Sequence, residues 1–304
     1  MAVDGYDAGA AVARQRLALM LQNLRKQARN KDGTPITIEQ AAQHMERARP
    51  TAHRIINGLP GVRVKDHDVK SLAELFGADD ETTATMLALA AATRVKGWFS
   101  RFRDVLPPGF DMYIGLEAAA QSVWAYEGER VHGLLQTEEY AREILRISAT
   151  DGPKAADAEF ERRVAVRMRR QEILTRSDNP VDFTVVLGEA VLHRTIGGPA
   201  VMARQLQQIN ERGALSNVSI RVVPFSVGAH YGIDTGPFAV ITFPEQGGPA
   251  TAYMDNFTGH LLTHKPSDIV RFEAAAAAID RCALNEAASR NLISQRAKEL
   301  SSAQ

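Results

Sequence analysis

The stretch Ile36–Asn57, ITIEQAAQHMERARPTAHRIIN, constrains the fold of this chain more than any other. Thr37 stands before a run in which Ala41, Ala42 and Met45 fall on one helical face, and its hydroxyl can accept a first-turn N–H. A second short helix is expected from Arg49-Pro50, because proline fits the first helical turn, where its missing N–H is not needed. On that helix Ala52, Ile55 and Ile56 point inward, while Arg49, Thr51, His53, Arg54 and Asn57 point elsewhere. Gly58-Leu59-Pro60-Gly61 then stops it. Two short helices and a tight turn follow.

A polar, cationic outer face on the second helix admits two readings: an ordinary helical pair in a bundle, or a pair that lays its second helix on duplex DNA. The whole chain has no net charge, but its charge is unevenly placed. Between Arg14 and Lys70 twelve Lys/Arg face five acids, an excess of seven that the remainder must balance. A basic N-terminal part on an acidic body suits a protein that touches phosphate with one end only.

The rest of the N-terminal third reads as helices. Leu17, Met20, Leu21 and Leu24 form a stripe within Val12–Ala28, flanked by Arg14, Arg16, Arg25 and Lys26. VKDHDVKSLAELFG places Val69, Leu72, Ala73, Leu75 and Phe76 inward and ends at Gly77, and an Ala/Leu/Thr-rich helix is expected from Asp80 to Val95. The expected organisation is a flexible arm over 1–12, a five-helix domain over 13–95, an aromatic and proline linker over 96–110, and a C-terminal domain over 111–300. At 304 residues the chain has room for two domains.

The helix order and the residues of the pair resemble the Cro/C1-type (xenobiotic-response-element-like, XRE) helix-turn-helix family. Ile36-Thr37 with Ala41-Ala42 match the usual start of its second helix, and Thr51, Arg54, Ile55 and Gly58 match its third. Four residues depart. Glu46-Arg47 stands where glycine and an apolar residue are usual, Ile38 where glutamine is common, and Ile56 where a polar residue is usual. Further on, YIGLEAAAQSVWAYE, GLLQTEEYAR (Gly133–Arg142), RMRRQEIL (Arg167–Leu174) and RVVPFSVGAH (Arg221–His230) follow one another. In that order they resemble an actinobacterial regulator family that joins such an N-terminal domain to a C-terminal domain of unknown function.

Physically, the C-terminal part mixes helices and strands. Helices are expected over Ala155–Thr175, from Gly198-Pro199 through Leu215, over Pro266–Leu284, and after Thr137, with Tyr140, Ile144 and Leu145 inward. Strands are expected at Val181–Leu187, Val218–Val223, Pro237–Phe243 and Thr251–Asp255, short apolar runs bounded by Gly, Pro and Asn. The fold class expected is mainly α: a five-helix N-terminal domain and an α+β C-terminal domain with a small sheet.

Catalytic signals are weak. His230, Asp234 and Asp255 lack any standard ligand or acid/base spacing, and a loop-shaping role suits His230 and Asp234 better. Gly197-Gly198-Pro199 lacks the features of a phosphate loop. Cys282 is the only cysteine, which excludes an intrachain disulfide and a cysteine-built zinc site. Trp98, Phe99 and Phe102, set among Lys96, Arg101 and Arg103, fit packing better than base stacking. No apolar run is long enough for a membrane span and the first residues lack a basic leader, so a cytoplasmic location is expected.

The resemblance implies a transcriptional regulator that binds double-stranded DNA as a homodimer, with no cofactor, metal or catalysis. Arg49, Thr51 and His53 would approach bases, Arg54 and Asn57 bases or phosphates, and Arg25, Lys26, Arg47 and Arg63 phosphates. The C-terminal domain would sense a small protein encoded nearby or a small-molecule effector. An interaction module of antitoxin type with weakened DNA reading is the alternative, and an enzyme carrying a DNA-targeting domain ranks last.

Overall fold

The computed structural model describes residues 9–59, 61–95, 97–107, 109–147, 157–244, 249–256 and 259–302. Residues 1–8 of the expected arm, Lys96 and Pro108 of the expected linker, and the first two residues of the helix expected from Ala155 lie outside them. The chain divides into two compact units: residues up to Arg103 with Pro107–Ala119 and Pro244–Gly248, and the remainder.

In the N-terminal unit the helices are α1 (Gly9–Gln27), α2 (Ile38–His44), α3 (Arg49–Ile56), α4 (Asp66–Phe76), α5 (Asp80–Ala92) and α6 (Phe110–Ala119). Helix α1 starts three residues before the helix expected from Val12, so residues 9–12 are not part of an arm. One apolar cluster unites the first five, with Leu17 and Leu21 of α1, Met45, Ile55, Ile56, Leu72 and Met86 buried together. Burying the two isoleucines of α3 contributes about 3–6 kcal/mol before entropy is counted. The sixth helix packs on α1, and a Cβ at Gly115 would meet Ala11 Cβ at 2.9 Å. The boundary expected at 110 therefore lies at the start of a helix that belongs to this unit. Trp98, Phe99 and Phe102 form a 3-10 turn with edge-on ring contacts, and Phe99 and Phe102 are buried.

The C-terminal unit contains β1 (Ser122–Glu127), α7 (Glu138–Ile147), α8 (Asp157–Arg170), β2 (Asp182–Gly188), α9 (Ala190–His193), α10 (Pro199–Arg212) and β3 (Val218–Val223). It continues with α11 (Tyr231–Thr235), β4 (Phe238–Thr242), β5 (Thr251–Asn256), β6 (Gly259–Thr263), α12 (Pro266–Cys282) and α13 (Glu286–Ser302). The strands form one six-stranded sheet in the order β3-β2-β1-β4-β5-β6. The first three are parallel, with Val123 opposite Phe183 and Val185 opposite Ile220, and the last three antiparallel. Parallel strands are covered on both faces, which is why β2 reads as the near-continuous apolar run FTVVLG. The β3 edge is closed by side chain and backbone: Val222 donates to Ser289 Oγ at 3.0 Å and accepts from the Leu284 N–H at 2.8 Å.

The mainly α class with a small sheet is the fold observed. Strand β3 has the expected bounds, β2, β4 and β5 fall within a residue of theirs, and β1, β6, α6, α9, α11 and α13 lie outside the expected elements.

Candidate nucleic-acid interface

The helix pair is built as its sequence requires. Thr37 and Gln40 form a reciprocal cap: the Gln40 N–H donates to Thr37 Oγ1 at 3.2 Å and the Thr37 N–H to Gln40 Oε1 at 2.9 Å. Helix α3 begins at Arg49 with Pro50 in its first turn; Ala48 precedes it and offers no side-chain cap. Between the helices Glu46 adopts φ 53°, the left-handed region that favours glycine. This explains the departure seen in the sequence: the turn needs a left-handed residue, and here a glutamate takes it. At the other end of α3, Gly58 has φ 67°, and a Cβ there would meet Ala18 Cβ of α1 at 2.9 Å. Only glycine satisfies both conditions.

Of the nine candidate contact residues, six leave their polar groups outward. Arg49, His53, Arg54, Lys26 and Arg63 are exposed and Thr51 is half-buried, while Ala52, Ile55 and Ile56 fill the opposite side of α3. Arg49 makes a 3.3 Å ion pair with Glu39 of α2, both side chains mostly in solvent. Such a pair contributes about 0–1 kcal/mol and yields readily to a stronger acceptor.

The other three make bonds inside the unit. Arg47 forms a two-pronged pair with Asp68, Nε to Oδ1 at 2.9 Å and Nη2 to Oδ2 at 3.3 Å, and the carboxylate holds the guanidinium pKa above its ordinary value. Arg25 donates to the Ile36 carbonyl at 3.2 Å, just before the cap of α2. Asn57 closes α3, donating to the His53 carbonyl at 2.8 Å and accepting from Gln22 Nε2 at 3.3 Å. Their acceptors lie four to twenty-one residues away in sequence, so local pattern shows the donor without its partner.

Two residues outside the candidate set fix the pair. Asp68 is fully buried, and besides Arg47 it accepts the Lys65 N–H at 2.9 Å, capping α4. Arg14 of α1 donates to the Val62 and Leu59 carbonyls at 3.0 and 3.4 Å, tying down the loop after α3. The Asp68 bond to Lys65 is local, but its pair with Arg47 and both Arg14 bonds span elements and have no local signal.

In the C-terminal unit the residues weighed for chemistry have separate partners. His230 contacts the Tyr126 hydroxyl through Nε2 at 3.0 Å and the Gly228 carbonyl through Nδ1 at 3.1 Å. Asp255 accepts from the Tyr253 hydroxyl at 2.8 Å and lies 3.6 Å from Arg130, and Asp234 is exposed. Among the described residues no group of three His, Cys, Asp or Glu could hold a metal ion. Cys282 is half-buried against the apolar cluster of α12. Burial raises the Glu127 carboxyl to about 7 against the pull of Arg130 and Arg167, with Asp255 adding to the rise. Burial, and then the charges of Arg170, Arg167 and Arg130, hold His132 well below its ordinary value, so it is a neutral ring whose Nδ1 accepts the Leu134 N–H.

The geometry thus defines a helical unit that presents one exposed cationic helix, and a mixed α/β unit with a buried ionisable cluster. Residues 110–295 match the family described as Domain of unknown function (DUF5753). The match covers more than half of the chain, and the chain belongs to that family. No curated protein and no solved structure matches it. Among the described residues no helix is long and apolar enough to cross a membrane.

Proposed function

We propose that this protein is a sequence-specific transcriptional regulator of Cro/C1 (XRE-like) type, which binds duplex DNA through α3 as a cytoplasmic homodimer. On this reading its C-terminal domain senses a small partner protein or ligand, and the chain is neither an enzyme nor dependent on a cofactor. The observation that carries the reading is the outer face of α3, where Arg49, His53 and Arg54 stand exposed over a fully buried apolar side. Helix α3 has no acidic residue in its first turn and no side-chain cap. A cation at the positive end of a helix is unfavourable alone and becomes favourable when a phosphate approaches.

Arg49 and Arg54 can engage guanine edges bidentately, which discriminates by about 1–3 kcal/mol per pair. Lys26 and Arg63 position the duplex without reading it. The expected result for Arg49→Ala is a loss of about 5- to 150-fold on a selected cognate site, with little change on random duplex. Lys26→Ala weakens all duplexes alike and lowers the salt slope by about one. Anisotropy titrations at several salt concentrations, on sites recovered from a random pool, check both. Absence of salt-dependent duplex binding at every site would remove the reading.

One observation favours a second reading, an interaction module with weakened DNA contact: Arg25, Arg47 and Asn57 spend their donors inside the unit. That reading expects duplex binding without sequence preference and stoichiometric copurification with a neighbouring gene's product.

A further inference from the structure

A cleft of about 830 Å³ opens in the N-terminal unit between the start of α1, the loop after α3, the end of α5 and the start of α6. This is within the range of small-molecule sites. Arg14, Arg63, Arg94, Arg101 and Arg103 line it, and Asp111 is the only acidic residue among its described lining. Two of these guanidiniums already face carboxylates, Arg103 with Asp111 at 2.7 Å and Arg94 with Asp66 at 2.8 Å. Phe99, Met112 and Val62 supply an apolar side. Burial and then the charge of Arg103 push the Arg14 pKa down, and Asp111 offsets them only in part.

We propose that this cleft binds a small organic anion with an apolar body, of the phosphate-monoester or carboxylate kind, and that occupancy is felt by the loop that follows α3. Arginine forks match the planar oxygens of both anions, and such an anion relieves the repulsion between crowded guanidiniums. The transmission path is short. Gly61, Val62, Arg63 and Val64 are themselves walls of the cleft, and Arg14 is both a wall and the tether of Leu59 and Val62. The same loop meets α3 through Arg54, whose Nη1 lies 3.4 Å from the position of a Gly61 Cβ. An anion held jointly by Arg14 of α1 and Arg63 of the loop therefore adds a bridge between them that restrains the loop at the end of α3. That this end belongs to a DNA-reading helix rests on the proposed function; ligand binding and loop ordering do not.

The test uses the full chain and 2-naphthyl phosphate, in about 150 mM salt to screen diffuse attraction. Calorimetry is expected to show saturable one-to-one binding with Kd below about 1 mM, and binding roughly tenfold weaker or worse in Arg63→Gln/Arg103→Gln. Both side chains are largely exposed, and Arg63→Gln alone gives the same sign should the pair disturb the fold. Neutral 2-naphthol is expected not to bind. Hydrogen exchange of amides 55–59 and 61–64 is expected to slow about threefold or more on saturation in wild type alone. No saturation below about 10 mM, equal binding of 2-naphthol, or equal binding by a variant with unchanged thermal midpoint would overturn the site. Saturable binding without slower exchange overturns the transmission. Since no readout uses DNA, failure of duplex binding is a separate result.

Discussion

Asp68→Ala tests the idea that a buried carboxylate aims α3. The side chain is fully buried and accepts three N–H groups, two from Arg47 and one from Lys65. Losing the cap on α4 costs about 1 kcal/mol. Losing the charge-assisted bonds to Arg47 adds about 1–2 kcal/mol, reduced from the full value because the arginine keeps 29% of its side chain in solvent and can turn outward. The sum is about 2–3 kcal/mol, or roughly 30- to 150-fold in an opening equilibrium. Hydrogen exchange by mass spectrometry, in the regime where protection reports the opening equilibrium, reads this directly for the amides of α2, α3 and α4. Protection there is expected to fall by that factor, while the sheet of the C-terminal unit is unchanged. On the proposed function, the same variant is expected to weaken cognate sites more than random duplex, since base contacts depend on the aim of α3 whereas phosphate contacts do not. Protection within about threefold of wild type would refute the argument, because that is less than a single ordinary cap.

Glu46→Gly is expected to raise stability by about 0.5–1 kcal/mol in urea unfolding, the relief of a left-handed non-glycine residue minus glycine's greater unfolded-state entropy; a destabilised variant would contradict the strain. Glu127 carries a folded-state carboxyl raised to about 7 by burial, so folding takes up a proton and the associated stability is lost as pH rises from the unfolded value through 7. Glu127→Gln, measured by thermal or urea unfolding, is therefore expected to gain about 2–3 kcal/mol more at pH 8.5 than at pH 5; a gain independent of pH would place the shift elsewhere.

Elements whose cause is local could be read from the sequence. Thr37 with Gln40 starts one helix, Arg49-Pro50 starts the next, and β3 is bounded by Asn217 and Pro224. Elements whose cause is tertiary could not. Strand β1 pairs with β4 through contacts such as Ser122 with Thr242, 120 residues on, so its partners leave no trace near SVWAYE. Helix α13 is mostly polar and buries only Ser289, Ile293, Ala297 and Leu300, too few points for a clear stripe. The interface divides in the same way. Exposure of Arg49, His53 and Arg54 follows from the period of α3, whereas the inward use of Arg25, Arg47 and Asn57 depends on Ile36, Asp68 and Gln22.

A glutamate at φ 53° gives the bend between α2 and α3 no conformational preference of its own. The angle is held instead by contacts outside the bend, among them Arg47 reaching across to a carboxylate on α4 and the apolar cluster the two helices share with α4. The two helices are consequently not a portable cassette. Grafted into another scaffold without α4, the segment would carry every exposed arginine yet lose the angle at which they are presented.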